Sequence, residues 1–424
     1  MTERNDKKSP DKRKKTVIGK PPALIYYPAA VIMSLIYRIK YRVTVDRRAL
    51  KGVRGPAVVL APHVSGKDHV LTGLALFPNR PTYVLSEHFM AKKFLRPILR
   101  MIHAIPKKMF CPDTRSVLNM IRAVREGNVL VLFPEGRLTW YGRSLGITDG
   151  TAELVRRMGV DVYSVVSDGA GMTFPKWAKF KRRGKIHIRT EKLLDGDKVK
   201  TMSPDEINGF LTEHLRHDAE TAMPGVKFRT KDTTAGLDGI LWRCPICGST
   251  DCLECSDGNI VCSECRLERT LDEYGKFKPI KIRYGGNTPE GQALIGTVID
   301  SVADWYEYCA ATVDTSAPIV RRCEVGKTDK DGYMRRNVGE GGMRLDRDFF
   351  SFTGTVNGYD TSFSISTEKL TAFPITVGDH IDVYVDGTLW YLTPLPDPRE
   401  SVKFVAFLDR VTAERKAAEK HSVL

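Results

Sequence analysis

The chain is short of acidic residues, of long apolar runs and of cysteine outside one window, and each shortage narrows what it can be. Its 51 aspartates and glutamates face 66 lysines and arginines in 424 residues, a formal charge of +15 with a pI near 9.3. An excess of that size attracts polyanions, either nucleic acid or the anionic leaflet of a membrane. The principal apolar run, residues 23–37, is about 15 residues long where a spanning helix needs roughly 20. No small-residue cleavage site follows it, which argues against a secretion signal. Its flanking Arg38, Lys40 and Arg42 and its several tyrosines suit a helix lying in the membrane interface, with a buried core helix as the competing reading. Of nine cysteines, six fall between Cys244 and Cys265. That crowding speaks against a disulfide framework and for a metal in a reducing cytosol. No internal repeat is visible, so a solenoid is excluded.

What is present is enough for a folded protein. At 42% hydrophobic the chain can bury a real core, and its length suits two or three domains. Residues 1–20, with Lys7, Lys8, Lys12, Arg13, Lys14, Lys15 and Lys20 and almost nothing apolar, read as a disordered basic arm ahead of an interfacial helix at 21–45. Strand-like runs at 57–60, 82–85, 129–132 and 160–166 alternate with helical stretches such as 114–126 and 151–158. That order predicts an α/β fold over 46–232, a mostly parallel sheet flanked by helices, with reactive groups in loops at the carboxyl ends of strands.

Beyond about residue 232 the pattern breaks. A helical pattern at 289–310 and a Gly- and charge-rich stretch at 324–342 read as a connecting helix and linker, bounded as 280–335. The segment 340–420 reads as a small antiparallel β domain: 349–355 and 361–366 flank Asn357-Gly358, 381–385 and 388–392 flank Asp386-Gly387, and an amphipathic helix at 402–416 closes it.

Two blocks carry the chemistry. His63 and Asp68 directly follow the first strand-like run, and Phe133-Pro134-Glu135-Gly136-Arg137 directly follows the third. A hydroxyl attacks well only if its proton leaves as it does so, and a histidine held in one tautomer by a carboxylate is suited to take it. His63 is the candidate base and Asp68 its orienter, with His63 expected on the loop and Asp68 on the opening turn of the next helix. This is triad logic with the substrate hydroxyl in place of serine. A His-x4-Asp pair alone arises by chance in roughly every second or third chain of this kind, so the conjunction with the second block is the signal.

Residues from about 45 to 220 resemble the glycerolipid acyltransferase family, whose first block reads His-x-Ser-x-x-Asp and is matched by His63, Ser65 and Asp68. The resemblance implies a catalytic base and its partner there, and acceptor binding by Glu135, Gly136 and Arg137, with Ser65 beside them. Where the family commonly places a phosphate-binding Arg, this chain has Ile105-Pro106-Lys107-Lys108-Met109-Phe110, so Lys107 or Lys108, with Arg115, would supply the charge. The family's fourth block has a proline-containing apolar strand, and residues 162–166 contain no proline. The implied donor is acyl-CoA or acyl carrier protein, and the implied acceptor a lysophospholipid, foremost 1-acylglycerol 3-phosphate.

Cys244, Cys247, Cys262 and Cys265 form two Cys-x-x-Cys knuckles around a turn at Asp257-Gly258-Asn259. The arrangement resembles a zinc ribbon at 238–270 with one closed, structural zinc site. Cys252 and Cys255 read as spare thiols. A basic-aromatic stretch, Lys176, Lys179, Lys181, Arg182, Arg183 and Lys185 among Phe174, Trp177 and Phe180, suits anionic headgroups or donor phosphates. The terminal β domain weakly resembles a pleckstrin-homology-like module. Together these readings favour a peripheral or monotopic enzyme on the cytoplasmic face of the cell membrane, with lipid rather than nucleic acid as partner. The rival is a catalytically idle scaffold that binds lipid or nucleic acid through the ribbon and the basic surface.

Overall fold

The computed structural model describes residues 19–279, 281–282, 299–370 and 372–422. The basic arm lies outside the described residues except for its last two, and so does the first part, 289–298, of the helical pattern at 289–310.

Strands β1 (Thr44–Val45), β2 (Ala57–Leu60), β3 (Thr82–Ser86), β4 (Ile105–Lys107), β5 (Val129–Leu132), β6 (Asp161–Asp168) and β7 (His187–Leu194) form one sheet in the order β1-β7-β6-β2-β5-β3-β4. Every neighbouring pair is parallel except β6 with β7. The expected parallel sheet is therefore mixed, with one antiparallel pair towards the β1 edge. The pleat sends alternate residues to opposite faces. Val58, Leu60, Leu130 and Leu132 pack with Met120, Val124 and Val155, from α5 (Thr114–Arg125) and α6 (Asp149–Met158). Ala57, Val59, Val129 and Val131 pack with Tyr37, Leu71 and Leu74, from α1 (Ala23–Tyr41) and α2 (Asp68–Leu76). Burial on both faces explains why β2 and β5 read as unbroken Val/Leu runs.

Helix α1 runs 19 residues, past the apolar run into Arg38–Tyr41, and is long and apolar enough to cross a membrane by length and composition. That corrects the expectation of a segment too short to span, and its exposure corrects the core-helix alternative. One face, with Met33, Tyr37 and Tyr41, packs on the domain. The opposite face leaves Leu24 88% and Ile39 72% exposed, with Val31, Ile32, Leu35 and Ile36 between them.

The cysteine segment forms an antiparallel sheet of β8 (Leu253–Ser256), β9 (Asn259–Cys262), β10 (Leu267–Thr270) and β11 (Lys281–Ile282). The last sheet holds β12 (Ile319–Thr328), β13 (Met334–Leu345), β14 (Phe349–Val356), β15 (Tyr359–Ser366), β16 (Ile381–Val385) and β17 (Thr388–Leu395) in the order β15-β14-β13-β12-β17-β16, all antiparallel. Both turn signals hold: Asn357-Gly358 and Asp386-Gly387 take positive φ between paired strands. The linker expected at 324–342 is instead most of β12 and β13. Its glycines are there because the backbones crowd. A Cβ on Gly341 would lie 2.5 Å from Thr353 O and one on Gly339 would lie 2.0 Å from Thr355 O.

The helix Ser401–Ser422 buries Phe404, Val405, Phe407, Leu408 and Val411 in a core shared with the ribbon, the helix Val302–Ala311 and the last sheet. Trp140 and Trp177 of the first domain join the same core, so the modules are continuous with one another.

Candidate active site

β2 and β5 are parallel neighbours in register, Leu60 beside Leu132, so the loops that follow them emerge together. His63 leaves the first loop and Asp68 opens α2, as the spacing predicts. The imidazole Nδ1 lies 2.9 Å from Asp68 Oδ2, which also accepts the Ser65 backbone N–H at 2.8 Å. Among the described residues no hydrogen bond to His63 Nε2 is found, and the ring is about a quarter exposed. Burial raises the Asp68 carboxyl above its ordinary value against the opposing pull of His63 and the Ser65 N–H.

The second block holds the first in place. Glu135 is buried, and its two oxygens accept the backbone N–H groups of His63 and Leu145, each at 2.8 Å. The Thr139 N–H donates to His63 O at 2.9 Å, and the Phe133 ring stacks on the imidazole at 4.4 Å. His63 is thus fixed at its N–H, its C=O, Nδ1 and one ring face. Gly136 takes φ +74, and a Cβ there would meet Phe110 and Thr148 side chains at 3.4 Å, so the segment after β4 touches the Glu135 turn. Burial pushes the Glu135 carboxyl up to about 7, the two N–H donors opposing it.

The other sequence-derived site residues are placed less simply. The guanidinium of Arg137, expected to meet the acceptor, forms a two-pronged pair with Asp409 of the C-terminal helix, Nη1 to Oδ1 at 3.0 Å and Nη2 to Oδ2. Ser65 is fully buried and its hydroxyl caps the turn by accepting the Lys67 N–H at 3.1 Å. Lys107 Nζ donates to Lys108 O, Lys108 Nζ sits over the Tyr384 ring at 5.7 Å, and Arg115 lies in the first turn of α5. This group therefore borders the C-terminal β domain. Of the basic-aromatic stretch, Trp177 and Arg182 are core residues, stacked at 4.6 Å, with Arg182 donating to Thr233 O.

Three further groups carry no role in the sequence reading. Lys67, inside the first block itself, and Lys92 lie near enough to Lys176 to depress its ammonium further after burial has lowered it. His217 is buried with Nδ1 3.6 Å from Asp168 and within electrostatic reach of Asp68, and burial lowers it. Lys67 sits between the two matched residues, so its charge was legible. His217 carried no local signal.

In the ribbon, the thiol sulfurs of Cys244, Cys247, Cys262 and Cys265 lie within 4.8 Å of one another. Cys244 is 3.6 Å from Cys265 and Cys247 is 3.7 Å from Cys262. Four zinc–sulfur bonds of about 2.3 Å in a tetrahedron put sulfurs about 3.8 Å apart, so the donor set fits zinc. Cys252 donates to Ser249 O at 3.3 Å and lies 3.5 Å from Cys262.

Residues 40–168 match the family model described as Acyltransferase. The 1-acyl-sn-glycerol-3-phosphate acyltransferase of Bacillus subtilis (strain 168) is 26% identical over 82 residues, covering 19% of this chain and 41% of that protein. The chain thus spans about two-fifths of the length of that curated relative. The 1-acyl-sn-glycerophosphate (LPA) acyltransferase PlsC from Thermotoga maritima, known from a crystal structure, is 16% identical with a TM-score of 0.38, covering 45% of this chain and 78% of that one.

Proposed function

We propose that this chain, whose residues 40–168 match the Acyltransferase family model, is a membrane-associated glycerolipid O-acyltransferase acting on the free hydroxyl of a lysophospholipid, foremost 1-acylglycerol 3-phosphate. The observation that carries the reading is the 2.9 Å contact of His63 Nδ1 with buried Asp68, which leaves Nε2 unengaged among the described residues at the carboxyl end of β2. His63 Nε2 takes the hydroxyl proton as the oxygen attacks the carbonyl carbon of a fatty thioester on coenzyme A or acyl carrier protein. The new C–O bond forms, the C–S bond breaks, and the proton passes to the departing thiolate. Asp68 fixes the tautomer and stabilises the transient imidazolium.

Glu135 and Gly136 hold the His63 loop and the acceptor turn in place. Lys67, next to Asp68 in the first block, offers the acceptor phosphate a cation beside the dyad. Lys107, Lys108 and Arg115 supply further positive charge nearer the C-terminal domain. The apolar outer face of α1, with Arg38 and Lys40 at its end, would keep the site on the cytoplasmic side of an anionic bilayer, where both greasy substrates are found. A structural zinc held by Cys244, Cys247, Cys262 and Cys265 would brace the ribbon.

The test is thiol release from long-chain acyl-CoA, or from acyl carrier protein, with lysophosphatidic acid on vesicles. Wild type should release thiol and His63→Ala should not. A folded wild type that is silent with every donor and acceptor pair would favour the idle scaffold instead. Zinc should be lost from the ribbon in a Cys244→Ser, Cys262→Ser double variant.

A further inference from the structure

Among the described residues, a further cluster of side chains that could hold a metal is buried at the junction of two modules. His88 lies on the short helix α3 (Glu87–Met90), which follows β3 of the first sheet, while His380 and Asp382 lie just before and within β16 of the last sheet. All three are buried, with residue exposures of 6%, 2% and 6%. One ligand atom from each lies within 4.8 Å of the others. His88 Nδ1 is 3.1 Å from Asp382 Oδ2, and His380 Nε2 is 3.2 Å from Asp382 Oδ1.

Hydrogen bonding accounts for little of these approaches. His88 Nδ1, His380 Nδ1 and Asp382 Oδ1 are buried without a hydrogen-bond partner, although each has an atom of opposite character within 3.2 Å, and His380 Nε2 has a long contact, 3.5 Å, with the Thr376 hydroxyl. Donors aimed at one another would be aligned; donors aimed at a common point would be close and misaligned. Metal–ligand bonds of about 2.0–2.2 Å in a tetrahedron set neighbouring ligand atoms about 3.3–3.6 Å apart, and the two imidazoles approach different oxygens of the one carboxylate at 3.1 and 3.2 Å, so all three side chains converge on one point. Unpartnered buried polar atoms are costly, so such a cluster without an occupant would weigh on the junction.

The surroundings suit a bound cation. Behind His380, Asp379 Oδ1 lies 3.1 Å from Nδ1, and Asp379 is itself held by Arg336 Nη2 at 2.9 Å. A carboxylate behind the far ring nitrogen stands where the orienting partner of a metal-bound imidazole is found, here close without an aligned hydrogen bond. Tyr391, opposite Asp382 in the β16–β17 pairing, packs edge-on against both imidazoles, at 5.4 Å from His88 and 5.1 Å from His380. Ala91, Leu389 and Tyr391 form a small buried apolar cluster spanning the same junction. Imidazole with carboxylate is a borderline donor set that suits zinc and its neighbours rather than calcium or magnesium.

We propose that His88, His380 and Asp382 form a second metal site, for zinc or a similar divalent transition ion, that pins the C-terminal β domain to the carboxyl end of β3. It is independent of the acyl-transfer reading and of the thiolate site. The test is cobalt titration of the full-length, chelator-stripped protein, with zinc content of the untreated protein measured alongside. Wild type should take up cobalt in two spectroscopically distinct steps. One brings the near-ultraviolet thiolate charge-transfer band, and the other adds only weak visible bands. Asp382→Asn and His380→Ala should each lose the second step and one equivalent of zinc while keeping the charge-transfer band. A wild type whose entire cobalt spectrum scales with the charge-transfer band would overturn the proposal, whatever the variants do. So would an Asp382→Asn protein that still binds both equivalents.

Discussion

Replacing Asp68 by asparagine should separate what this residue does for chemistry from what it does for folding. In the wild type one oxygen, Oδ2, receives both the His63 ring nitrogen at 2.9 Å and the Ser65 N–H at 2.8 Å. An amide oxygen can accept the same two donors, so the ring can keep its place while the charge disappears. The loss is felt when His63 takes the proton. At an effective dielectric of about 20, unit charges 2.9 Å apart interact by about 6 kcal/mol. At 1.36 kcal/mol per decade that is about four decades in rate, and residual solvent access to the ring should trim it to ~10³–10⁴ in kcat. Stability should move little or rise, because burial already raises the Asp68 carboxyl and disfavours its ionised form. Thiol-release kinetics and thermal melts on the same preparation read both quantities. A kcat loss below tenfold would refute the dyad, and a large loss matched by a collapse of near-UV circular dichroism would assign Asp68 to structure alone.

Two further outcomes follow from the same geometry. Burial lifts Glu135 to about 7 from an ordinary 4.5, so the folded state holds this proton where the unfolded chain has released it. Its contribution to stability is therefore full below about pH 4.5 and is lost as pH rises through 7, by about 3 kcal/mol in all. Urea unfolding across that window should show wild type losing stability relative to Glu135→Gln, and parallel curves would contradict the assignment. On α1, changing Leu24, Val31, Leu35 and Ile39 to serine removes the outward apolar face without touching the Met33, Tyr37 and Tyr41 face. Each such side chain contributes about 1.5–3 kcal/mol when fully buried, so co-sedimentation with anionic vesicles should weaken by at least about a hundredfold. Unchanged sedimentation would shift the membrane contact elsewhere.

How far the sequence discloses this molecule depends on whether a feature is local. β2 and β5 announce themselves as Val/Leu runs because both their faces are buried, and their loops carry His63 and Glu135 to adjacent positions. Asn357-Gly358 and Asp386-Gly387 mark their hairpins because tight turns need positive φ at those positions. The glycines of β13 mislead for the opposite reason. They serve a close approach of neighbouring strands, and a composition rich in Gly and charge looks the same in a linker. The two contacts that matter most at the site's periphery are not local at all. Arg137 meets Asp409 across 272 positions, and His88 meets Asp382 only because two separate sheets dock. Nothing near Arg137 in the chain reveals that an acceptor-binding candidate is already paired.

That pairing also bears on whether the first domain can stand alone. A fragment ending near residue 232 would keep His63, Asp68 and Glu135 but strip Arg137 of Asp409 and uncover Trp140 and Trp177, which belong to the core shared with the ribbon and the last sheet. It would also leave Arg96, buried and stacked at 3.6 Å on Tyr333, without the carbonyls of Asp331 and Gly332 that accept its N–H groups. Uncovering apolar side chains costs about 1.5–3 kcal/mol each, so the two tryptophans and their neighbours would consume much of the roughly 5–15 kcal/mol a domain has to spare. The fragment should melt without cooperativity and bind a hydrophobic dye, while Asp409→Ala in the full chain should lower the urea midpoint by itself. A fragment with a sharp thermal transition and wild-type thiol release would show that the C-terminal half is a passenger, and that Arg137 is free to turn toward an acceptor.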